Sequence, residues 1–324
     1  MKQLKLKVLE NVAAALAALF LFAAPAAASR PQAVTLDVKN AVVTVASGIN
    51  ADGTIVGWYC LELPCNSAHT RGFLRDKNGM FTDINVPSSS EHPATGTQPR
   101  YISPQGVVVG AYFTLEDGAK VGAPRFRGFA WYQNQFMYFD APDLTSDGQP
   151  VYDNPSFAHS IIPRAMNAEG QIVGCIHDKD QMGSMHGFVL NPETGAFSRL
   201  AMGMTMNNGI TESGEIVGID FAMGTGYHIL KSGSVETVSA PGALVTQAWD
   251  INSRGEIVGT TLVNGVQHAF VRSPQGNYSF AEPDAAVAAT AFGINSEGDV
   301  VGNYLDTNGA VHGFLAPRGS DDDR

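Results

Sequence analysis

A five-residue pattern occurs six times in this chain of 324 residues: glycine, any residue, isoleucine or valine, valine, glycine. The closing glycines are Gly57, Gly110, Gly174, Gly218, Gly259 and Gly302. They are separated by 53, 64, 44, 41 and 43 residues, which lies within or above the period of a four-stranded propeller blade. The repeat therefore predicts that the chain folds as an array of similar small β-sheets.

Each copy carries signals for four strands. A turn residue such as Asn50 or Asn295 precedes the motif, and the glycine that opens the motif suits a tight hairpin. A third apolar piece follows, as in RGFL at 71–74 and HGFL at 312–315, and a fourth comes after a second turn in the first five copies. We predict an all-β fold, a six-bladed β-propeller of four-stranded antiparallel blades.

The sixth copy lacks its fourth strand, because the chain reads APRGSDDDR after Leu315. The segment AVTLDVKNA at 33–41 matches the fourth-strand pattern but has no first three strands before it. We predict that this N-terminal strand completes the last blade and closes the ring, so that no blade keeps a bare edge.

The six closing glycines lie inside predicted strands. We interpret them as structural glycines that allow close approach of an aromatic ring from the next strand, such as Phe73 or Phe314. Four histidines, His186, His228, His268 and His312, recur in or beside the third strand. Their repetition favours a structural role in each blade over a ring of ligands around the axis.

The first residues have the organisation of a secretory signal. Three lysines, Lys2, Lys5 and Lys7, precede an apolar run, and 26–28 offers an A-x-A cleavage site. An uncleaved membrane anchor is the alternative, but the run is shorter than the ~20 residues that a span needs. We predict a cleaved signal peptide at 1–28, a single propeller domain at 29–318 and a flexible acidic tail at 319–324. The location is then secreted or periplasmic, without stable membrane insertion.

The charge balance is acidic, with 20 basic and 31 acidic residues and a net charge of −11. Without residues 1–28, 17 basic and 30 acidic residues remain, a net charge of −13. Nucleic acid and anionic membrane surfaces would repel such a protein, so neither is expected as a partner.

The chain has three cysteines. In an exported protein, a Cys60–Cys65 disulfide would close the short loop CLELPC, which leaves Cys175 as a buried structural thiol or, as the alternative, a reactive one. No C-x-x-C pair occurs, so zinc-ribbon and redox readings lack support.

The string His268-Ala269-Phe270, with HGF at 186–188 and 312–314, resembles the HAF-repeat family of exported bacterial repeat proteins. The resemblance covers nearly the whole chain after the leader and implies a propeller-like fold and an extracytoplasmic location. It implies no catalytic activity and no cofactor. The chain departs from the motif at Arg71 and Arg127, which replace histidine, and at Tyr227.

Insertions distinguish the first three copies from the others. Their connections from second to third strand are the longest, and the links at 88–100 and 143–163 are long as well. In antiparallel meanders these connections emerge on one face, where rigid scaffolds often carry binding sites. The candidate binding residues there are Glu62, Glu91, Asp117, Asp143, Asp147, Asp153, Asp178, Asp180 and Tyr152, and the candidate catalytic residues are His69, His92, His159 and His177.

No catalytic motif or diagnostic metal-ligand spacing occurs. The leading hypothesis is an exported, non-catalytic binding module, a monomer that holds an envelope protein or a glycan on the loops of blades one to three. The alternative is an extracytoplasmic hydrolase or lyase with a histidine and carboxylate site on the same face, and a passive module without ligand is a third. We expect no cofactor and no metal; the loop carboxylates at 143–148 resemble a calcium loop only weakly.

Overall fold

The strands follow one another as antiparallel meanders, each built around one copy of the glycine motif. The structure is a computed structural model. It describes residues 32–114, 125–140, 143–144, 150–151, 160–177, 185–200 and 203–319, with the backbone alone at 125, 143–144, 150–151 and 177. All strands belong to one structural unit, Pro31–Arg318.

Four sheets have four strands each, in sequence order. They are β6 (Ala94–Ile102), β7 (Val108–Thr114), β8 (Arg125–Tyr132) and β9 (Gln135–Phe139); β12 (Ser160–Met166), β13 (Ile172–His177), β14 (Met185–Asn191) and β15 (Ala196–Arg199); β16 (Thr205–Ile210), β17 (Ile216–Asp220), β18 (Thr225–Ile229) and β19 (Val235–Val238); and β20 (Val245–Ile251), β21 (Ile257–Val263), β22 (Val266–Arg272) and β23 (Tyr278–Phe280). A two-stranded ribbon, β10 (Asp143–Leu144) with β11 (Pro150–Val151), lies in the link at 143–163.

The fifth large sheet has eight strands. They are β1 (Val34–Leu36), β2 (Val43–Ile49), β3 (Ile55–Cys60), β4 (Arg71–Arg75), β5 (Phe81–Asp83), β24 (Ala288–Ile294), β25 (Val300–Leu305) and β26 (Val311–Ala316). One meander runs from β2 to β5 and another from β24 to β26, and a single parallel pair, Val43 with Val311, joins them. Strand β1 pairs antiparallel with β26, with Thr35 opposite Phe314.

The first strand of every meander contacts the first strand of the next. The contacts run in the order β2, β6, β12, β16, β20, β24 and back to β2, so these strands surround a common axis. Each sheet therefore has neighbours on both faces, and its residues form apolar clusters with those neighbours. This explains why strands such as β7 and β3 are apolar at successive positions.

The hairpin between first and second strands has the same turn in most copies. Gly53 has φ +76°, and the Thr54 N–H donates to the Asn50 Oδ1 at 3.0 Å. The asparagines also join neighbouring hairpins: the Asn252 amide donates to the Asn295 carbonyl at 3.0 Å, and the Asn295 amide to the Asn50 carbonyl at 3.1 Å. The turn residue thus fixes its own hairpin and the next one.

The closing glycines lie directly under aromatic rings of the third strand. At Gly259 an added Cβ would be 1.9 Å from the Gln247 carbonyl oxygen and 2.8 Å from the Phe270 ring. Phe270 is completely buried. Gly57 and Gly302 have the same surroundings in their own sheets.

Two of the recurring third-strand histidines contact residues that follow the fourth strand of their sheet, whereas His228 lies 3.6 Å from Glu215, just before β17. His268 Nδ1 lies 2.7 Å from Glu282 Oε1, and the imidazole stacks on Phe280. His312 Nδ1 lies 2.7 Å from Asp37 Oδ2, just after β1. At the equivalent position in its sheet, Arg127 forms an ion pair with Asp140. These pairs hold the outermost strand to the rest of each sheet.

The outermost strands are short. In the first copy the fourth strand ends at Asp83, because the following Ile84 and Val86 turn inward and are buried in a cluster with Ile102. The predicted strand at 33–41 pairs only at Val34–Leu36, since the chain then turns, with the Ala41 N–H donating to the Val38 carbonyl at 3.0 Å.

Candidate axial binding site

Every first strand contains an extra residue three positions before the turn, where its pairing with the second strand shifts register; β6 has a second such shift at Thr95. A β-bulge of this kind turns a side chain away from the regular alternation of the strand. The six residues at these positions, which we call the bulge ring, are Ser47, Arg100, Arg164, Asn208, Trp249 and Phe292.

The side chains of the bulge ring meet across the axis. The Arg164 guanidinium lies over the Trp249 ring, with its carbon 5.0 Å from the ring centroid, although a whole sheet separates their strands. Trp249 in turn packs edge to face against Phe292 at 5.0 Å between centroids. Arg164, Trp249 and Phe292, from three different sheets, therefore form one continuous set of contacts.

Five of the six bulge-ring side chains have a buried polar atom that finds no hydrogen-bond partner among the residues that the structure describes. The atoms are Ser47 Oγ, Arg100 Nε, Arg164 Nε, Asn208 Oδ1 and Trp249 Nε1. Buried polar atoms in folded proteins are nearly always bonded, to protein, to ordered water or to a ligand. A concentration of such atoms around one axis therefore indicates a place where ordered water or a ligand completes the hydrogen bonds.

The two arginines carry charge into this ring. Arg100 donates to Gln98, and Arg164 donates to the thiol of Cys175, which lies outside the disulfide. Among the residues that the structure describes, no carboxylate lies within ion-pair distance of either guanidinium. Burial, and then the neighbouring Arg164, lowers the pKa of Arg100 to about 9, so the group stays charged at neutral pH.

A cavity of about 180 Å³ lies one to two residues further along the first strands, at the hairpins that lead to the second strands. Five isoleucines line it, one from each of five hairpins: Ile49, Ile102, Ile210, Ile251 and Ile294. Polar groups from the same hairpins, including Tyr101, Glu212 and Asp250, complete its wall.

Asp250 is the buried carboxyl group of this cavity. Its Oδ1 accepts from the Ile251 N–H at 2.9 Å, and its Oδ2 accepts from the Ile294 N–H at 3.1 Å. Burial outweighs these two hydrogen bonds and raises the pKa of Asp250 to about 7. Burial, and then the nearby Asp250, raises the pKa of Tyr101 as well.

Because of Asp250, the free energy of unfolding should fall as the pH rises. The unfolded chain loses this proton near pH 4 and the folded protein near pH 7, so the folded state is favoured at acid pH and loses that advantage as pH rises. From pH 5 to pH 8 we expect the wild type to lose on the order of 2 kcal/mol more free energy of unfolding than Asp250→Asn. Urea titrations at both pH values measure the difference, and parallel pH profiles for the two proteins would contradict it.

The sequence-predicted site residues lie elsewhere. Glu62 and Glu91 are exposed in the connections after β3 and β5, and His69 is exposed at the end of a 3₁₀ helix, Ser67–His69. Asp117, Asp147, Tyr152, Asp153, His159, Asp178 and Asp180 lie outside the described residues, and only the backbone of Asp143 and His177 is described. Cys60 and Cys65 form a disulfide in the connection that carries Glu62.

His92 is held between two tyrosines. Its Nδ1 lies 3.0 Å from the Tyr112 hydroxyl, and its ring stacks on Tyr138 at 3.7 Å between centroids. Burial, and then the Arg127 guanidinium, lowers the pKa of His92, so the imidazole is neutral at pH 7. Within the described ranges, no group of three or more histidine, cysteine or acidic side chains is placed to bind a metal ion.

The sequence reasoning missed the bulge ring. Its signal is present in the repeat: in every copy the bulge residue stands three positions before the turn residue, as Arg164 does before Asn167. From the first copy to the sixth, the bulge residue is serine, arginine, arginine, asparagine, tryptophan and phenylalanine, while the glycine motif that follows it recurs. The cavity opens at the hairpins between first and second strands, opposite to the face where the insertions were predicted to emerge.

Comparison with known proteins supports the fold class. No protein-family model matches the chain, and no curated protein matches it. Among solved structures, a putative gluconolactonase is 13% identical, with a TM-score of 0.51, and the match covers 90% of this chain and 93% of that one. A streptogramin B lyase is 13% identical, with 88% and 97% covered and a TM-score of 0.49. Regucalcin from Agrobacterium tumefaciens is 12% identical, with 90% and 96% covered and a TM-score of 0.48.

At such identities the likeness concerns the fold alone. The prediction of an all-β propeller with four-stranded antiparallel blades is confirmed. No helix in the described part of the chain has the length and apolar character needed to cross a membrane.

Proposed function

We propose that this protein is an exported β-propeller that binds a small polar ligand at its axis and does not transform it. The observation that carries the proposal is the bulge ring, in which five buried polar atoms from five different sheets lack a partner. Leaving one buried polar atom unbonded costs about 1–3 kcal/mol, so a ligand that bonds several of them gains appreciable affinity.

We further propose that the ring has six blades. The eight-stranded sheet is best described as two blades, since its two meanders each surround one glycine motif and share a single residue pair. Strand β1 then supplies the fourth strand of the last blade, next to β26. The contacts between β2 and both β24 and β25 support this closure.

Export remains part of the proposal. It rests on the basic and apolar leader at 1–28 and on the resemblance to HAF repeats, and the disulfide Cys60–Cys65 suits an oxidising compartment. A monomer without cofactor in the periplasm or outside the cell is the form we propose. The inserted loops would hold a second, larger partner, an envelope protein or a glycan.

A hydrolase or lyase role is the alternative. The observation that favours it is the neutral imidazole of His92 within hydrogen-bond distance of the Tyr112 hydroxyl, a pairing that acid–base chemistry can use. Turnover of an ester, lactone or glycoside that is lost in His92→Gln would support this role over binding alone.

Tryptophan fluorescence tests the axial site. The chain has three tryptophans, and Trp249 lies in the bulge ring. We expect at least one class in a panel of anionic, cationic, zwitterionic and neutral metabolites to change the emission. Trp249→Phe keeps an aromatic ring but removes the unpartnered N–H, so it should weaken binding about tenfold, measured by thermal shift because the variant lacks the reporting indole.

Trp58→Phe is the matched control. Trp58 also has a buried Nε1 without a partner, but it lies on β3, a second strand, and not in the bulge ring. Binding should be unchanged in this variant. Equal losses in both variants, or no response to any metabolite class by fluorescence and thermal shift, would contradict the proposal.

A further inference from the structure

We propose that the axial ligand is a small, doubly charged oxyanion, a dicarboxylate or a phosphate, bound between Arg100 and Arg164. This inference rests on the proposed axial site and specifies the chemistry of its ligand. Two guanidinium groups in one ring, with no carboxylate near either among the described residues, leave two positive charges to be balanced.

The groups around the arginines do not supply that balance. Burial raises the pKa of Cys175, so the thiol bonded to Arg164 is neutral at pH 7. Asp250, next in sequence to Trp249, accepts from two backbone N–H groups and forms no ion pair with either arginine. Both arginines are half-buried as whole residues and their Nε atoms are buried, and charged groups enclosed in this way are normally paired.

The unpartnered atoms favour a ligand rich in acceptors. The Nε atoms of Arg100 and Arg164 and the Nε1 of Trp249 can only donate. The Ser47 hydroxyl can donate as well, whereas Asn208 Oδ1 can only accept. Carboxylate and phosphate oxygens match this set, and a hydroxyl on the ligand would satisfy Asn208.

The geometry of Arg164 suits an oxyanion. The carbon of its guanidinium lies over Trp249 at 5.0 Å from the ring centroid, and its Nε has no partner among the described residues. A guanidinium edge presents parallel donors to the two oxygens of a carboxylate or phosphate. The acidic protein as a whole repels anions, so affinity at this ring must come from the two local charges.

Calorimetric titrations with defined anions test the ligand class. Succinate, inorganic phosphate and sulfate are the dianion probes, acetate is the monoanion, and succinamide is the neutral analogue of succinate. We expect at least one dianion to bind at least tenfold more tightly than acetate and succinamide. The strongest of the three identifies the carboxylate or the phosphate class.

Arginine variants locate the site. Arg100→Met and Arg164→Met should each weaken the bound dianion about 10- to 100-fold, since each removes a charged hydrogen-bond donor. Arg75→Gln, on β4 and stacked on Phe81, is the matched control and should bind as the wild type does. Undiminished dianion binding in both methionine variants would overturn the inference.

The experiments distinguish a wrong ligand class from a wrong binding site. If the fluorescence panel finds a neutral or cationic ligand that depends on Trp249, while no dianion binds, the ligand class is wrong and the axial site remains. If a methionine variant does not fold, the comparison of succinate with succinamide on the wild type still decides, because equal affinities would exclude a charge-selective site.

Discussion

Leu36→Asp should cost about 3–5 kcal/mol of the free energy of unfolding, which is enough to unfold most domains of ordinary stability. Leu36 lies on β1, is 5% exposed, and is buried in the same apolar cluster as Ile55 and Phe73. Its strand pairs with β26, with Leu36 opposite Gly313. A charge at this position would be buried without a partner and would detach the strand that covers β26.

Val34→Asp is the control on the same strand. Val34 is 49% exposed, so the same carboxylate would stay in water and should cost less than about 1 kcal/mol. Urea unfolding of both variants, followed by circular dichroism, measures the difference. Similar midpoints for the two variants would show that β1 does not hold the edge of this sheet.

Gly259→Ala is the second substitution for which we expect a large effect. A Cβ at this position would be 1.9 Å from the Gln247 carbonyl oxygen, on the paired strand, and 2.8 Å from the ring of Phe270. Neither neighbour can move freely, because the first belongs to the backbone and the second is completely buried. We expect a loss of about 3 kcal/mol in the free energy of unfolding, from overpacking and a disturbed strand pair.

Gly203→Ala tests whether the added methyl group alone matters. Nothing lies within 4 Å of a Cβ at Gly203, so this variant should stay within about 0.5 kcal/mol of the wild type. Thermal and urea unfolding of both variants provide the comparison. A tolerated alanine at Gly259 would mean that the close approach of the third-strand ring is not required for stability.

The regular part of the fold follows from the repeat. The turn asparagines, the glycines under the aromatic rings and the short apolar runs all have local chemistry that sequence reasoning can use. The end of a fourth strand has no such local signal. In the first copy, for example, Ile84 leaves the strand and joins a cluster formed with the next sheet. Such a boundary depends on packing between sheets and not on the segment itself.

The axial site could not be predicted in the same way. A bulge arises from the pairing of two strands, and hydrophobic periodicity does not report where one strand has an extra residue. The insertions of the first three copies predict a site on the other face, since loops commonly carry function. Arg100 and Arg164 appear in the sequence as ordinary residues before a turn. Only their common place around the axis reveals two positive charges that no carboxylate of the described residues pairs with.

In each repeat, the residues that build the sheet and the residue that faces the axis are different, because the bulge places the second outside the regular strand. A residue that leaves the regular alternation of its strand is not held to the apolar pattern of the glycine motif, so its identity differs from copy to copy while the motif recurs. Three of these residues, Arg164, Trp249 and Phe292, contact one another across the sheets instead. A duplicated unit could thus enter the array as an identical building block and later acquire its own recognition chemistry through a single codon.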